Sequence, residues 1–293
     1  MGRLPASSFQ DSFATLTDPR CPDAPNSRPS LRDMLLIAVC AVLCGAEGWE
    51  DIEEYGTAHA TWFADILDLP HGIPGHDTFR RVLSRLDPEE LTRGFIAWTA
   101  ALRAASGGEI VSLDGQTLRH SFDRATGPAA IHMVSAWASA NRLVLGQLKA
   151  EAKSNAITAI LQLLTLLDLA GAIVTMDAIG CQKEMAQVMT EQEADDVLAL
   201  KDKHPPLSEE VRQFFDEATA TAFAAIPHEY HETVDGDHGR IETRRSWITS
   251  AIESLGAKTS WAKLHSIGMV ESCRAVGEKV QSETRYFLTS LPA

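Results

Sequence analysis

The sequence predicts an α/β protein in which a small all-α domain precedes a mixed sheet with flanking helices and a β insertion. Three observations carry that expectation. Helix-period apolar patterns with caps fill residues 27–107. Strand-like runs begin at Ile110 and alternate with helical patterns from Ser154 onward. Two of those runs, Ile110–Leu113 and Ile173–Met176, are each followed directly by an aspartate.

Residues 1–26 carry four prolines and many small polar residues without an apolar period, and read as a flexible N-terminal arm. Ser27 or Ser30 can cap a helix through Leu31–Cys44 that stops at Gly45. A second helix is expected over Trp49–Leu69, with Trp49, Ile52, Tyr55, Trp62, Phe63 and Ile66 near a 3.6-residue spacing. His76 or Asp77 opens a short helix containing Phe79, Val82, Leu83 and Leu86. Its Arg80, Arg81 and Arg85 read as a solvated face rather than a DNA contact. Asp87-Pro88-Glu89-Glu90 sets an N-cap, a proline at N1 and a capping-box glutamate in register ahead of Leu91, Phe95 and Trp98. This helical domain ends near Ser106-Gly107-Gly108, and the sheet domain is expected over 108–293.

In the second part, Ile110–Leu113, Ala130–Ala138 and Leu143–Ala150 predict an antiparallel meander. Helix from Ser154, strand Ile173–Met176, helix Gln182–Thr190, strand Val197–Leu200 and helix Ser208–Ala218 follow, for a sheet covered on both faces. Gly115 is expected to break the first strand just after Asp114, which puts that acid where a ligand can reach it. If the strands ending at Asp114 and Asp177 are neighbours, both acids meet at one end of the sheet, as a pair suited to a divalent cation. The plain alternative for each is a capping or turn aspartate.

Composition bounds the function. The 293 residues are 45% hydrophobic, enough for one large or two ordinary cores. The longest apolar run, Met34–Cys44, is too short to span a bilayer and no leader pattern precedes it, so a cytoplasmic location is expected. Five cysteines without a C-x-x-C suggest neither a disulfide framework nor a zinc ribbon. A net charge of -14 argues against nonspecific coating of nucleic acid, while leaving room for a local basic groove. His228, His231 and His238 lie in a polar stretch without a second ligand pair, which argues against zinc there.

At motif level the chain resembles the DDE-type transposases of bacterial insertion sequences, in the subgroup that includes the H-repeat-associated proteins. The likeness runs through D-G-Q-T-L-R (114–119), H-M-V-S-A-W (132–137), L-V-L-G-Q (143–147), K-S-N-A-I-T-A-I (153–160), V-T-M-D-A-I-G-C-Q (174–182), H-G-R-I-E-T-R (238–244) and E-T-R-Y-F-L-T-S-L (283–291). D-P-R (18–20), C-G-A-E-G-W-E-D-I (44–52) and G-I-P-G-H-D-T-F-R-R-V (72–82) extend it over nearly the whole chain.

The resemblance implies a ribonuclease H-like catalytic domain and metal-dependent DNA cleavage and strand transfer at element ends. It implies Mg2+ or Mn2+ as cofactor, double-stranded DNA as partner and a homo-oligomer in the active complex. Asp114 and Asp177 match the first two acids of such a site. The third is expected in an H-W-x-I-E-N pattern after E-T-R-Y-F-L-T-S-L; the sequence contains none and stops at Ala293, so a C-terminally shortened copy is expected. Glu242 is the rival third ligand, although its alternating neighbours also suit a plain strand pair with Arg244. Arg119, Arg124, Lys153, Lys201, Lys203, Arg240, Arg244 and Arg245 are the candidate phosphate contacts. Departures from the pattern include Gln116, Ala156 and Asp202-Lys203-His204, the last standing for a more typical G-N-Q. A non-catalytic shortened protein that binds DNA ends or dimerises as a regulator is the alternative expectation.

Overall fold

The computed structural model describes residues 6–20, 29–103, 109–117, 132–139, 142–150, 156–201, 204–237, 240–277 and 279–293. The chain divides into two compact units, residues 1–104 and 105–293.

The described elements of the first unit are all helical: α1 (Ala6–Ser12), α2 (Leu31–Leu43), α3 (Trp49–Ala58), α4 (Ala60–Ala64), α5 (His76–Leu83) and α6 (Pro88–Arg103). Ser30 caps α2 by accepting from the Asp33 amide at 3.1 Å, and Gly45, at φ +99°, takes the left-handed turn beyond its C-terminus. Asp87 caps α6 through the amides of Glu89 at 2.8 Å and Glu90 at 3.0 Å. Glu90 does not close a capping box; its carboxylate accepts instead from the Thr17 amide at 2.8 Å and binds the Thr17 hydroxyl at 3.2 Å. The predicted single helix over Trp49–Leu69 is broken at His59, whose φ of -109° lies outside the helical range. There the ring of His59 stacks on Tyr55 and its Nδ1 lies 2.9 Å from the Tyr55 carbonyl oxygen.

Residues 6–12, expected to lie in an extended arm, form α1. Phe9 and Phe13, four residues apart, are buried, and Phe9 meets Trp98 of α6 edge-on at 5.0 Å. Two large aromatics, one on this short helix and one just beyond it, supply the burial that the polar, proline-rich composition concealed. Met34, Ile37, Ala41, Phe63, Phe79 and Val82 form the main core of this unit.

Among the described residues of the second unit, nine strands form one sheet in the order β3-β2-β1-β4-β5-β9-β8-β7-β6. They are β1 (Ile110–Thr117), β2 (His132–Ala138), β3 (Leu143–Ala150), β4 (Ile173–Met176), β5 (Asp195–Leu200), β6 (Glu229–Asp237), β7 (Arg240–Thr249), β8 (Ser266–Val276) and β9 (Lys279–Thr289). β1, β4 and β5 run parallel, and every other neighbouring pair is antiparallel. Helices α7 (Ala156–Leu166), α8 (Lys183–Glu191) and α9 (Pro205–Ala220) accompany it, with α7 against β2 and β3, α8 against β5 and α9 against β9. A mixed α/β sheet with flanking helices is therefore what the sequence forms.

Strand alternation gives the sheet two unlike faces. One holds Val111, Leu113, Val134, Ala136, Val174, Met176, Leu198 and Leu200, all buried. Further along this core face, Tyr286 stacks on Phe215 of α9, and Trp247 lies parallel to Phe223 at 6.0 Å. The other face holds Ser112, Asp114, Thr175, Val197 and Ala199, which are half-buried or exposed. Coverage of both faces was expected; the described residues show this second face at least partly open.

At the start of β5, Asp195 and Asp196 tie the last strand down. Lys263 pairs with Asp195 at 2.7 Å, Ser290 Oγ donates to Asp195 at 2.8 Å, and the Ser290 amide donates to the Asp196 carboxylate at 3.2 Å. Burial pushes the Asp196 carboxyl up to about 6, against the pull of that amide. Among the described residues, no helix is long and apolar enough to cross a membrane.

Candidate metal centre and nucleic-acid face

β1 and β4 pair in parallel from Ile110↔Ile173 to Leu113↔Met176. Thr175 Oγ1 donates to Ser112 Oγ at 2.9 Å across this seam. Asp114 and Asp177 are the next residues beyond the last pair. They continue the alternation of Ser112 and Thr175, which assigns both to the open face just past the end of the β1–β4 ladder. Both are exposed. Gly115 does not end β1: the strand leaves β4 at Leu113 and continues to Thr117 paired with β2.

The Asp177 side chain also makes a turn contact, because its Oδ1 accepts from the Ile179 amide at 2.9 Å. The turn-capping reading of Asp177 therefore holds through one of its two carboxylate oxygens. Next to Asp114 on β2 stands Ser135, whose hydroxyl accepts from Gln147 Nε2 of β3 at 3.0 Å. Both lie in quoted motif segments, yet sequence reading gave them no role; their strand parity with Asp114 was the available signal.

Glu242 is not brought to this seam. It sits on β7, four strands from β4, about 19 Å away at ~4.8 Å per strand. Following the registers from Asp177 through Ala199, Phe287 and Gly268 reaches Ile248, six residues short of Glu242, roughly another 20 Å. Glu242 instead pairs with Arg244, and lies 3.7 Å from Arg240. Among the described residues, no three His, Cys, Asp or Glu side chains gather where they could hold a metal ion.

The same registers sort the basic candidates. Arg240 and Arg244 lie on the face that carries Asp114 and Asp177, and Lys201 follows β5 with that parity. Arg245 points to the opposite face, where it binds Glu232 at 2.9 Å. Arg274, Lys279 and Arg285 share the face of Arg244 and were missed, because in sequence they are scattered and only strand pairing aligns them. Arg285 is held by Glu283 at 2.8 Å, with Lys201 close enough to lower the Glu283 carboxyl further. Arg119, Arg124, Lys153 and Lys203 lie outside the described residues, as does His238. His228 packs on Phe223 at 4.6 Å, and His231 lies on β6.

Acids at the ends of two adjacent parallel strands, with basic side chains on the same face of the sheet, define a mixed α/β class of protein. Comparison with known proteins makes the class specific. Residues 10–99 match the family model described as DDE_Tnp_1-associated. The chain is 42% identical over 281 residues, 95% of its length and 92% of the other's, to "Uncharacterized protein in dhlA 3'region" of Xanthobacter autotrophicus. It is 35% identical over 265 residues, 89% of its length and 69% of the other's, to "H repeat-associated putative transposase YhhI" of Escherichia coli (strain K12). With "H repeat-associated putative transposase YbfD" of the same organism it shares 38% identity over 225 residues, 77% of this chain and 88% of that one. The chain belongs to the H repeat-associated transposase family.

Proposed function

We propose that this protein acts on double-stranded DNA at insertion-sequence ends by metal-dependent cleavage and strand transfer, with Asp114 and Asp177 as two ligands of a Mg2+ or Mn2+ ion. The observation that carries this reading is the β1–β4 register, which leads both acids off adjacent parallel strands onto one face. Exposed carboxylates at adjacent strand ends suit a hard cation that takes oxygen ligands. When bound, such an ion supplies Lewis-acid stabilisation of the scissile phosphate and activates water or a 3'-hydroxyl. The protein's own part is to hold Asp114 and Asp177 in register and to meet backbone phosphates with Lys201, Arg240 and Arg244. The strand order β3-β2-β1-β4-β5, with only β2 antiparallel to both of its neighbours in that set, supports reading this half as ribonuclease H-like, with β6–β8 as the β insertion.

The test is Mn2+ binding followed by electron paramagnetic resonance, together with strand transfer on element-end duplexes. Asp114→Asn and Asp177→Asn should each weaken Mn2+ binding at least tenfold. Strand transfer that survives Asp114→Ala would overturn the reading.

A second reading is a non-catalytic protein that occupies DNA ends or dimerises. The placement of Glu242 far from the β1–β4 seam favours it. Specific end binding without any cleavage in Mg2+ or Mn2+ would select it.

A further inference from the structure

We infer that His204 is a positioning residue that holds the turn carrying Asp177, and through it sets the direction of the Asp177 carboxylate; the second half of this rests on the metal-ligand reading above. The turn between β4 and α8 is closed by short-range bonds. The Ile179 amide donates to Asp177 Oδ1 at 2.9 Å, the Gly180 amide to the Asp177 carbonyl at 3.0 Å, and the Gln182 amide to the Gly180 carbonyl at 2.8 Å. Such bonds shape a turn without fixing where it sits on the protein. Two longer-range features do that.

The first is a close approach. A Cβ on Gly180 would lie 2.7 Å from the Met176 side chain, so glycine lets the turn pack directly onto the last residue of β4. The second is His204, whose Nε2 lies 2.8 Å from the Cys181 carbonyl oxygen, 23 residues away in sequence. A carbonyl only accepts, so Nε2 carries the hydrogen and donates. Cys181 is 1% exposed, so this bond forms where water is a poor substitute.

The imidazole is itself held. His204 precedes α9, its carbonyl accepts the Ser208 amide at 2.8 Å, and its ring stands edge-on to the buried Trp261 at 5.3 Å. The histidine thus fastens the Asp177 turn to the start of α9 and to the Trp261 loop. It bonds the backbone carbonyl of Cys181, so its effect on the Asp177 carboxylate passes through the turn.

The experiment compares the full chain with His204→Phe, His204→Asn and His204→Gln. Phenylalanine keeps a ring against Trp261 and loses the donor; asparagine keeps an amide too short to reach; glutamine places an amide nitrogen at the reach of Nε2. Amide hydrogen exchange of residues 179–182 and Mn2+ affinity are measured on each, with Asp177→Asn as the control for metal at this site. Phe and Asn should speed exchange in the turn at least tenfold and weaken Mn2+ at least fivefold, while Gln keeps both within twofold of the parent. If the Phe variant does not fold, the Asn and Gln pair, differing by one methylene, carries the comparison. Unchanged exchange in the Asn variant overturns the inference whatever the metal data show. Fast exchange with unchanged Mn2+ affinity overturns the link to Asp177. A parent chain whose Mn2+ binding equals that of Asp177→Asn overturns the metal reading, and the exchange data then decide alone whether His204 holds the turn.

Discussion

The hydroxyl of Thr175 donates to the hydroxyl of Ser112 at 2.9 Å, joining β4 to β1 one alternation before Asp177 and Asp114. The bond and the two acids lie on the same face of the sheet, so the hydroxyl pair fixes locally the register on which the placement of the carboxylates depends. Parallel pairs are spaced by their ladders alone, and a side-chain bond across the seam adds resistance to slippage.

Replacing Thr175 by Val removes that bond while keeping a β-branched shape. A loss of about 1 kcal/mol in unfolding free energy is expected, the usual net worth of one partly buried hydrogen bond. Mn2+ affinity should fall less than in Asp177→Asn. Urea denaturation and Mn2+ titration check both; a Thr175→Val chain as weak in Mn2+ as Asp177→Asn would contradict the assignment of ligand to Asp177.

Asp196 makes stability depend on pH in a specific direction. Its folded pKa of about 6 stands above the unfolded value of 3.8, so the folded state favours the protonated form. The stabilising contribution is complete below about pH 4 and is lost as pH rises to about 6, for a total of roughly 3 kcal/mol at 1.4 kcal/mol per unit. Asp196→Asn keeps an acceptor for the Ser290 amide and removes the charge. Its melting temperature should exceed the parent's at pH 8, and the gap should shrink at pH 4.5. An equal gap at both values would rule the buried charge out.

His76 and Glu53 join α5 to α3, with the His76 ring Nδ1 2.6 Å and its amide nitrogen 2.7 Å from the same carboxylate oxygen. The Glu53 hydrogen bond raises the His76 pKa, and the bonds from His76 lower that of Glu53. The pair's contribution is therefore full between the ordinary glutamate and histidine values, and fades as pH falls through the lowered Glu53 value or rises through the elevated His76 one. In a proton NMR titration the His76 ring should titrate above 6.5, and in Glu53→Gln its midpoint should move down. No movement would show that the contact does not persist in solution.

Arg244 and Arg245 are neighbours in sequence on opposite faces of β7. If the face of Asp114 receives duplex DNA, Arg244→Glu should weaken binding about five- to tenfold and make log Kd less dependent on salt. Arg245→Glu, on the opposite face where Arg245 binds Glu232, should stay within about twofold. Fluorescence anisotropy at two salt concentrations separates them; equal losses would contradict the facing argument.

Local chemistry made much of the fold readable. Leu143–Ala150 and Ile173–Met176 begin and end where their apolar runs do, and Asp87-Pro88 opens α6 as its residue types require. What local pattern could not show was partner choice. Gly115 reads as a breaker, yet β1 runs past it because β2 supplies the hydrogen bonds there. Helix α1 was hidden because two phenylalanines in a polar setting gain their burial from α2 and α6, far away in sequence. The adjacency of Asp114 and Asp177 was anticipated as a condition on strand order. The scattering of Arg274, Lys279 and Arg285 along the chain, and the distance of Glu242 from the seam, became visible only through the registers of β7, β8 and β9.

β9 lies between β5 and β8 and comes last among the nine strands in chain order. Without β9, the strands β1 to β5 and the ribbon of β6 to β8 would share no hydrogen-bonded border. Each would have an open edge that a neighbouring chain can borrow. Lys279–Thr289 joins them, pairing with β5 on one side and β8 on the other, so weakening this one strand would bare two sheet edges at once.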